Sequence, residues 1–115
     1  MNEVIDVFHV VYNELGYGLP EHMYMSAMEI ALRERNHEIA REVTIRIPFR
    51  GHVLGRIKAD MLVNDTLFVE GKTGLTFHSA WKDYTFRYVR RGHRPAGLLL
   101  FFGPSPEFKR IVVPL

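Results

Sequence analysis

The segment IKADMLVNDTLFVEGK, Ile57 to Lys72, constrains this chain more tightly than any other. It reads as two strands around a short turn. Ile57, Ala59, Met61 and Val63 alternate with Lys58, Asp60 and Leu62, and Leu67, Val69 and Gly71 alternate with Phe68, Glu70 and Lys72. A one-residue slip in pairing would send a whole apolar set to the wrong side of the sheet. Matching the apolar sets pairs Val63 with Leu67 and Met61 with Val69. Asn64-Asp65-Thr66 is left as a three-residue hairpin loop, a common length. The same register puts Asp60 opposite Glu70, with Cβ atoms about 4.5–5.5 Å apart, and Lys72 points the same way two residues on. Facing like charges destabilise a sheet unless something compensates. A divalent cation compensates two carboxylates, and hard oxygen ligands suit Mg²⁺. By pattern alone, Asp, Glu and Lys alternating on a hairpin more often form a solvated face with a surface ion pair.

The rest of the chain supplies context. Val4, Ile5, Phe8, Val11, Tyr12 and Leu15 recur at helical spacing, which predicts a helix over Asn2 to Leu15, stopped by Gly16 and Gly18. Pro20 opens a second helix running to about Arg35, with Tyr24, Ala27, Met28, Ala31 and Leu32 as its apolar stripe. Glu21, three residues before Tyr24, extends that stripe. It therefore faces the interior or its rim, although a first-turn glutamate also simply suits the helix dipole. From Val43 the period changes to two, and Val43, Ile45, Ile47 and Phe49 form a strand with Pro48 near its end. Arg50-Gly51-His52 turns into the strand Val53 to Val63. Thr76 to Arg91 reads as a third helix ended by Gly92, Ala96 to Phe102 as a buried strand, and Arg110 to Val113 as a short last strand. Helix, helix, three strands, helix, two strands is an α/β arrangement around a mixed sheet.

With 115 residues the chain has material for one domain, 1–115. It has no cysteine, which excludes disulfides, thiolate metal sites and a cysteine nucleophile and fits a reducing cytoplasm. Glu3 and Asp6 stand where a signal peptide carries positive charge, and the apolar runs are too short to cross a bilayer, so no membrane association is expected. A net charge of +2 permits nucleic-acid binding without demanding it, so the placement of charge matters more than the total. The histidines form no strong ligand set beside an oxygen site for a hard cation.

GYGLPEHMY, Gly16 to Tyr24, resembles the signature of the GxxExxY proteins, a small branch of the PD-(D/E)xK nuclease superfamily. IKADMLVNDTLFVEGK resembles that superfamily's core of an Asp on one strand and Glu-x-Lys on the next, and GLLLFFG, Gly97 to Gly103, is similar to the strand after the third helix. The resemblance spans nearly the whole chain. It implies a restriction-endonuclease-like core, a mixed central sheet of about five strands flanked by helices in the order ααβββαββ. It implies Asp60 and Glu70 as ligands of Mg²⁺, with Mn²⁺ as an alternative, and Glu21 as the helix-borne acid completing the metal site. Lys72 is implied as the catalytic lysine that assists a water in attacking phosphorus, so the four residues form the catalytic set. Tyr24 and Tyr84 are implied as site-supporting. The expected substrate is nucleic acid, DNA before RNA, bound through Lys82, Arg87, Arg90 and Arg91, which otherwise read as a solvated basic face. A homodimer is expected from the fold type. Two positions depart from the branch. Gly71 stands where a larger apolar residue is usual, and Tyr84 where a glutamine is common; these departures keep open a nuclease-fold module that binds nucleic acid or a protein partner without turnover.

Overall fold

The computed structural model describes residues 1–114, so Leu115, the last residue of the expected domain, lies outside the described residues. Helices α1 (Asn2–Leu15) and α2 (Glu21–Glu34) precede strands β1 (Ile39–Phe49), β2 (His52–Val63) and β3 (Leu67–Thr73). Helix α3 (Ser79–Arg91) and strands β4 (Ala96–Phe102) and β5 (Pro106–Val112) follow. The strands form one five-stranded sheet in spatial order β1-β2-β3-β4-β5. Only β3 and β4 are parallel, and α3 is their crossover. This is the expected mixed α/β sheet.

The sheet has a core on each face. Val4, Phe8, Tyr24, Met28 and Leu32 from α1 and α2 pack on Met61, Val69, Leu98, Leu100 and Phe102. On the other face Tyr88 and Val89 of α3 pack on Phe68, Leu99 and Ile111. Two buried faces explain why β4 is an unbroken apolar run: its alternate residues are needed by different helices.

Several boundaries differ from the periodicity. The first strand begins at Ile39, four residues before Val43, because Ile39 to Arg41 pair with Val63 to Met61. Helix α3 starts at Ser79 rather than Thr76. Phe77 instead turns inward, its ring meeting Trp81 at 5.7 Å and Phe101 at 5.8 Å. The last strand starts at Pro106 rather than Arg110, since a proline at the first residue of an edge strand costs the ladder no donor.

The expectation that Ile57, Ala59, Met61 and Val63 share one face is also corrected. Met61 and Val63 belong to the α1/α2 core, whereas Ala59 and Ile57 pack with α3. β1 turns over at the same level: Ile39 lies on one side, Val43, Ile45 and Ile47 on the other. The register passes from Arg41↔Met61 to Val43↔Ala59, and Glu42, between them, has φ 52°. A left-handed residue in a strand bends it and increases its twist. Both strands turn together, so their pairing survives while their faces exchange. Asp60 sits at the turning point.

Candidate metal centre

The register Val63↔Leu67 and Met61↔Val69 forms as the apolar pattern requires. It then stops. The β2–β3 ladder has three rungs and its last is Met61↔Val69, so the expected rung between Asp60 and Glu70 does not form. The turn-over of β2 at Asp60 draws it away from β3. The Asp60 carboxylate takes over the vacated backbone donor: Gly71 N–H donates to Asp60 Oδ2 at 2.9 Å. The strands thus part as a fork with Asp60 on one prong and Glu70 on the other. Their carboxylates nevertheless meet, and Glu21 joins them. Ligand oxygens of Glu21, Asp60 and Glu70 lie within 4.8 Å of one another.

Glu21 reaches the fork because of how the preceding loop is tied. Gly18 has φ 109°, a conformation L side chains rarely adopt, and Pro20 in extended conformation starts α2 at Glu21. Tyr24, one turn on, is fully buried and stacks on Phe102 with ring centroids 4.3 Å apart. Its hydroxyl donates to Gly16 O and accepts from Leu19 N–H, pinning both ends of the loop. Tyr24 therefore supports the site at a distance, by fixing where the helix begins. Gly71 fixes how close that helix lies. A Cβ there would fall 2.5 Å from Met25 Sδ, so the missing side chain is replaced by Met25 of α2, four residues after Glu21. The departure from a larger residue inside Glu-x-Lys is thus compensated from the helix.

Three close carboxylates repel one another, and burial intensifies that repulsion. Glu70 is 5% exposed. Burial, then a hydrogen bond and charge from Asp60, push its carboxyl up to about 9, against the partial relief of Lys72. Burial and then the Asp60 charge push Glu21 to about 7, again against Lys72. Tyr88 of α3 stands beside Glu70. Its buried hydroxyl makes no well-formed hydrogen bond, and burial followed by the Glu70 charge drives its pKa well up. Lys72 Nζ lies 5.9 Å from the Trp81 ring centroid, a cation–π contact that aligns the ammonium above α3. Without a cation this cluster holds protons. The donor set fits a hard divalent ion: several carboxylate oxygens, partly buried, with a charge excess that one such ion neutralises. No sequence motif marks Tyr88 and Trp81 as neighbours of these carboxylates.

The basic residues divide into two groups. Arg87, Arg90 and Arg91 of α3 line a cleft of about 1160 Å³ against β1, while Lys82 lies outside it, beside Asp83 and Arg110. Arg46 and Arg56 also line the cleft and were not singled out by sequence reading. Their signal was available: they are directly opposed on β1 and β2, a like-charge pair of the kind that marked Asp60 and Glu70. Tyr84 is exposed, its ring 6.0 Å from Tyr88, so it backs Tyr88 rather than joining the carboxylates.

The PD-(D/E)XK nuclease superfamily model matches residues 1–111. Among solved structures, the crystal structure of SSO0001 is similar over 82% of this chain and 50% of that one, at 22% identity and a TM-score of 0.60. That likeness shows the fold, and this chain spans half the length of that protein. No curated protein matches.

Proposed function

This chain belongs to the PD-(D/E)XK nuclease superfamily, and from that premise we propose that it is a divalent-cation-dependent nuclease hydrolysing phosphodiester bonds of DNA or RNA. The observation that carries the reading is the meeting of Glu21, Asp60 and Glu70 oxygens within 4.8 Å. Asp60 and Glu70 hold the cation, Mg²⁺ with Mn²⁺ as alternative, and Glu21 completes its shell. When bound, the cation polarises a phosphoryl oxygen and favours deprotonation of a nearby water. Lys72 stabilises charge developing on the phosphoryl group and orients the attacking water. Arg87, Arg90 and Arg91 bind the nucleic-acid backbone, with Lys82 as a contact beyond the cleft. DNA is the first substrate class to try. The unit acts as a single domain and as a homodimer. GYGLPEHMY supports the finer assignment to the GxxExxY branch, since Gly18, Glu21 and Tyr24 have separate tasks of turn, ligand and anchor.

Incubation with single-stranded, duplex and branched substrates in Mg²⁺ or Mn²⁺ tests this. Cleavage by wild type that is lost in both Asp60→Ala and Lys72→Ala is expected; cleavage surviving both sinks the assignment. Tyr84, in place of the branch's glutamine, favours a second reading: a module that binds metal and nucleic acid without turnover. Specific magnesium binding with no cleavage of any of these substrates selects it.

A further inference from the structure

The cleft between α3 and the β1–β2 hairpin is lined by guanidinium groups from two sides. Arg87, Arg90 and Arg91 come from the helix, Arg46 and Arg56 from the strands. No carboxylate lines it, and among the described residues none of these five arginines takes part in an ion pair, whereas Arg94, which also lines the cleft, is paired with Asp65. Holding five such cations together, including the opposed pair Arg46↔Arg56, costs repulsion that only an anionic ligand or solvent screening offsets. The cleft also has apolar surface. Phe86 is exposed at its rim, and Phe68 forms its floor. Spaced cations beside an exposed aromatic ring match the needs of a sugar-phosphate strand whose bases are free to stack. The exposed ring of Phe86 needs a base to stack on, and in a duplex the bases are already stacked on one another, so a single strand suits this surface better than a duplex.

Behind its floor the cleft adjoins the acidic fork through buried side chains. Phe68 and Glu70 lie on the same face of β3, two residues and so about 7 Å apart along the strand. Phe68 meets Tyr88 edge-on at 5.7 Å, and Tyr88 stands beside Glu70. Resting on the nuclease reading, we propose that this cleft holds a single strand of nucleic acid immediately to one side of the phosphodiester presented to the carboxylates. The substrate class is therefore single-stranded nucleic acid, or a single-stranded arm of a branched molecule.

The test measures binding of a labelled oligothymidylate, and of a duplex of equal length, in EDTA so that nothing is cut. Wild type is expected to prefer the single strand at least tenfold. Each neutralised phosphate of a single strand contributes about 0.7 to the slope of log K against log salt. Arg46→Ala/Arg56→Ala/Arg90→Ala is therefore expected to lower the slope by about 2 and the affinity about 100-fold in 0.1 M salt. Arg35→Ala, an exposed arginine outside the cleft, serves as the comparison and is expected to change neither. Phe86→Ala is expected to weaken oligothymidylate about tenfold but leave inorganic polyphosphate unchanged, which separates a nucleic-acid site from a general polyanion site. Melting curves check that each variant folds. The proposal is overturned if the triple variant binds like wild type, if duplex binds as well as single strand, if polyphosphate responds to Phe86→Ala equally, or if no oligonucleotide binds. Failure of the nuclease reading looks different: no cleavage with Mg²⁺ or Mn²⁺, but arginine-dependent binding intact.

Discussion

The acidic fork and the arginine cleft use the same device and reach opposite ends. Each brings like charges together across neighbouring strands, Asp60 with Glu70 where β2 parts from β3, and Arg46 with Arg56 on β1 and β2. The acidic group is sunk between two cores, and its member Glu70 is buried beside Tyr88. The arginines stand at the surface. Repulsion is screened in water and strong in a low-dielectric interior. Burial therefore makes the carboxylates hold a proton or a cation, while the exposed guanidiniums wait for an anion at modest cost. Like-charge pairs on two neighbouring hairpins thus acquire different chemistry from the sign of the charge and the depth of its burial.

Activity breaks that comparison most forcefully. Asp60→Ala and Lys72→Ala are each expected to lower the single-turnover cleavage rate about 1,000-fold, read by gel electrophoresis. Arg87→Ala acts chiefly on KM. Equal losses of turnover in all three would erase the distinction between centre and cleft.

Metal affinity is next. With Glu21 at about 7 and Glu70 at about 9, a cation must displace protons to bind. Apparent Mg²⁺ affinity should rise about 100-fold per pH unit below pH 7, where both carboxyls are protonated, and about tenfold per unit from pH 7 to 9. Calorimetric titration in buffers of different ionisation enthalpy counts the protons, and a pH-independent affinity would contradict the buried cluster.

The cation-free protein sharpens the point through stability. Glu70 keeps its proton to about pH 9 when folded, against an ordinary value of 4.5. Between those values the folded state binds more protons than the unfolded one, so stability falls as pH rises across that window. Thermal melts in EDTA are expected to drop by at least about 4 °C from pH 5 to 9 for the wild type. Glu70→Gln, which carries no charge to bury, should lose much of that slope.

A smaller effect tests how the fork is assembled. Gly71→Val places methyl groups where Met25 sits and should cost about 1–3 kcal/mol in urea unfolding. It should also weaken metal binding by moving α2 and Glu21 off β3. Full metal affinity in a stable Gly71→Val protein would show that Met25 does not position Glu21.

Much of this was legible in residue order. The apolar alternation in Met61, Val63, Leu67 and Val69 was sufficient to set the β2–β3 register, because only one pairing keeps those four together. Helical spacing located α1 to the residue. Strand ends were less legible: Ile39 to Arg41 and Pro106 to Lys109 join the sheet through partners distant in sequence. The turn-over at Glu42 and Asp60 was invisible, since alternation in the sequence runs unbroken through a bend of the backbone. Arg46 and Arg56 could have been found by pairing the first hairpin as the second was paired.

The sequence by itself determined the order of elements and the hairpin register, because apolar periodicity and turn chemistry are local. Only the tertiary structure decided that the strands part at Asp60, that Gly71 is filled by Met25, that Glu21 enters the fork and that the arginines gather elsewhere. Those outcomes depend on where a helix and a distant strand come to rest, and on how deeply each charge is then buried.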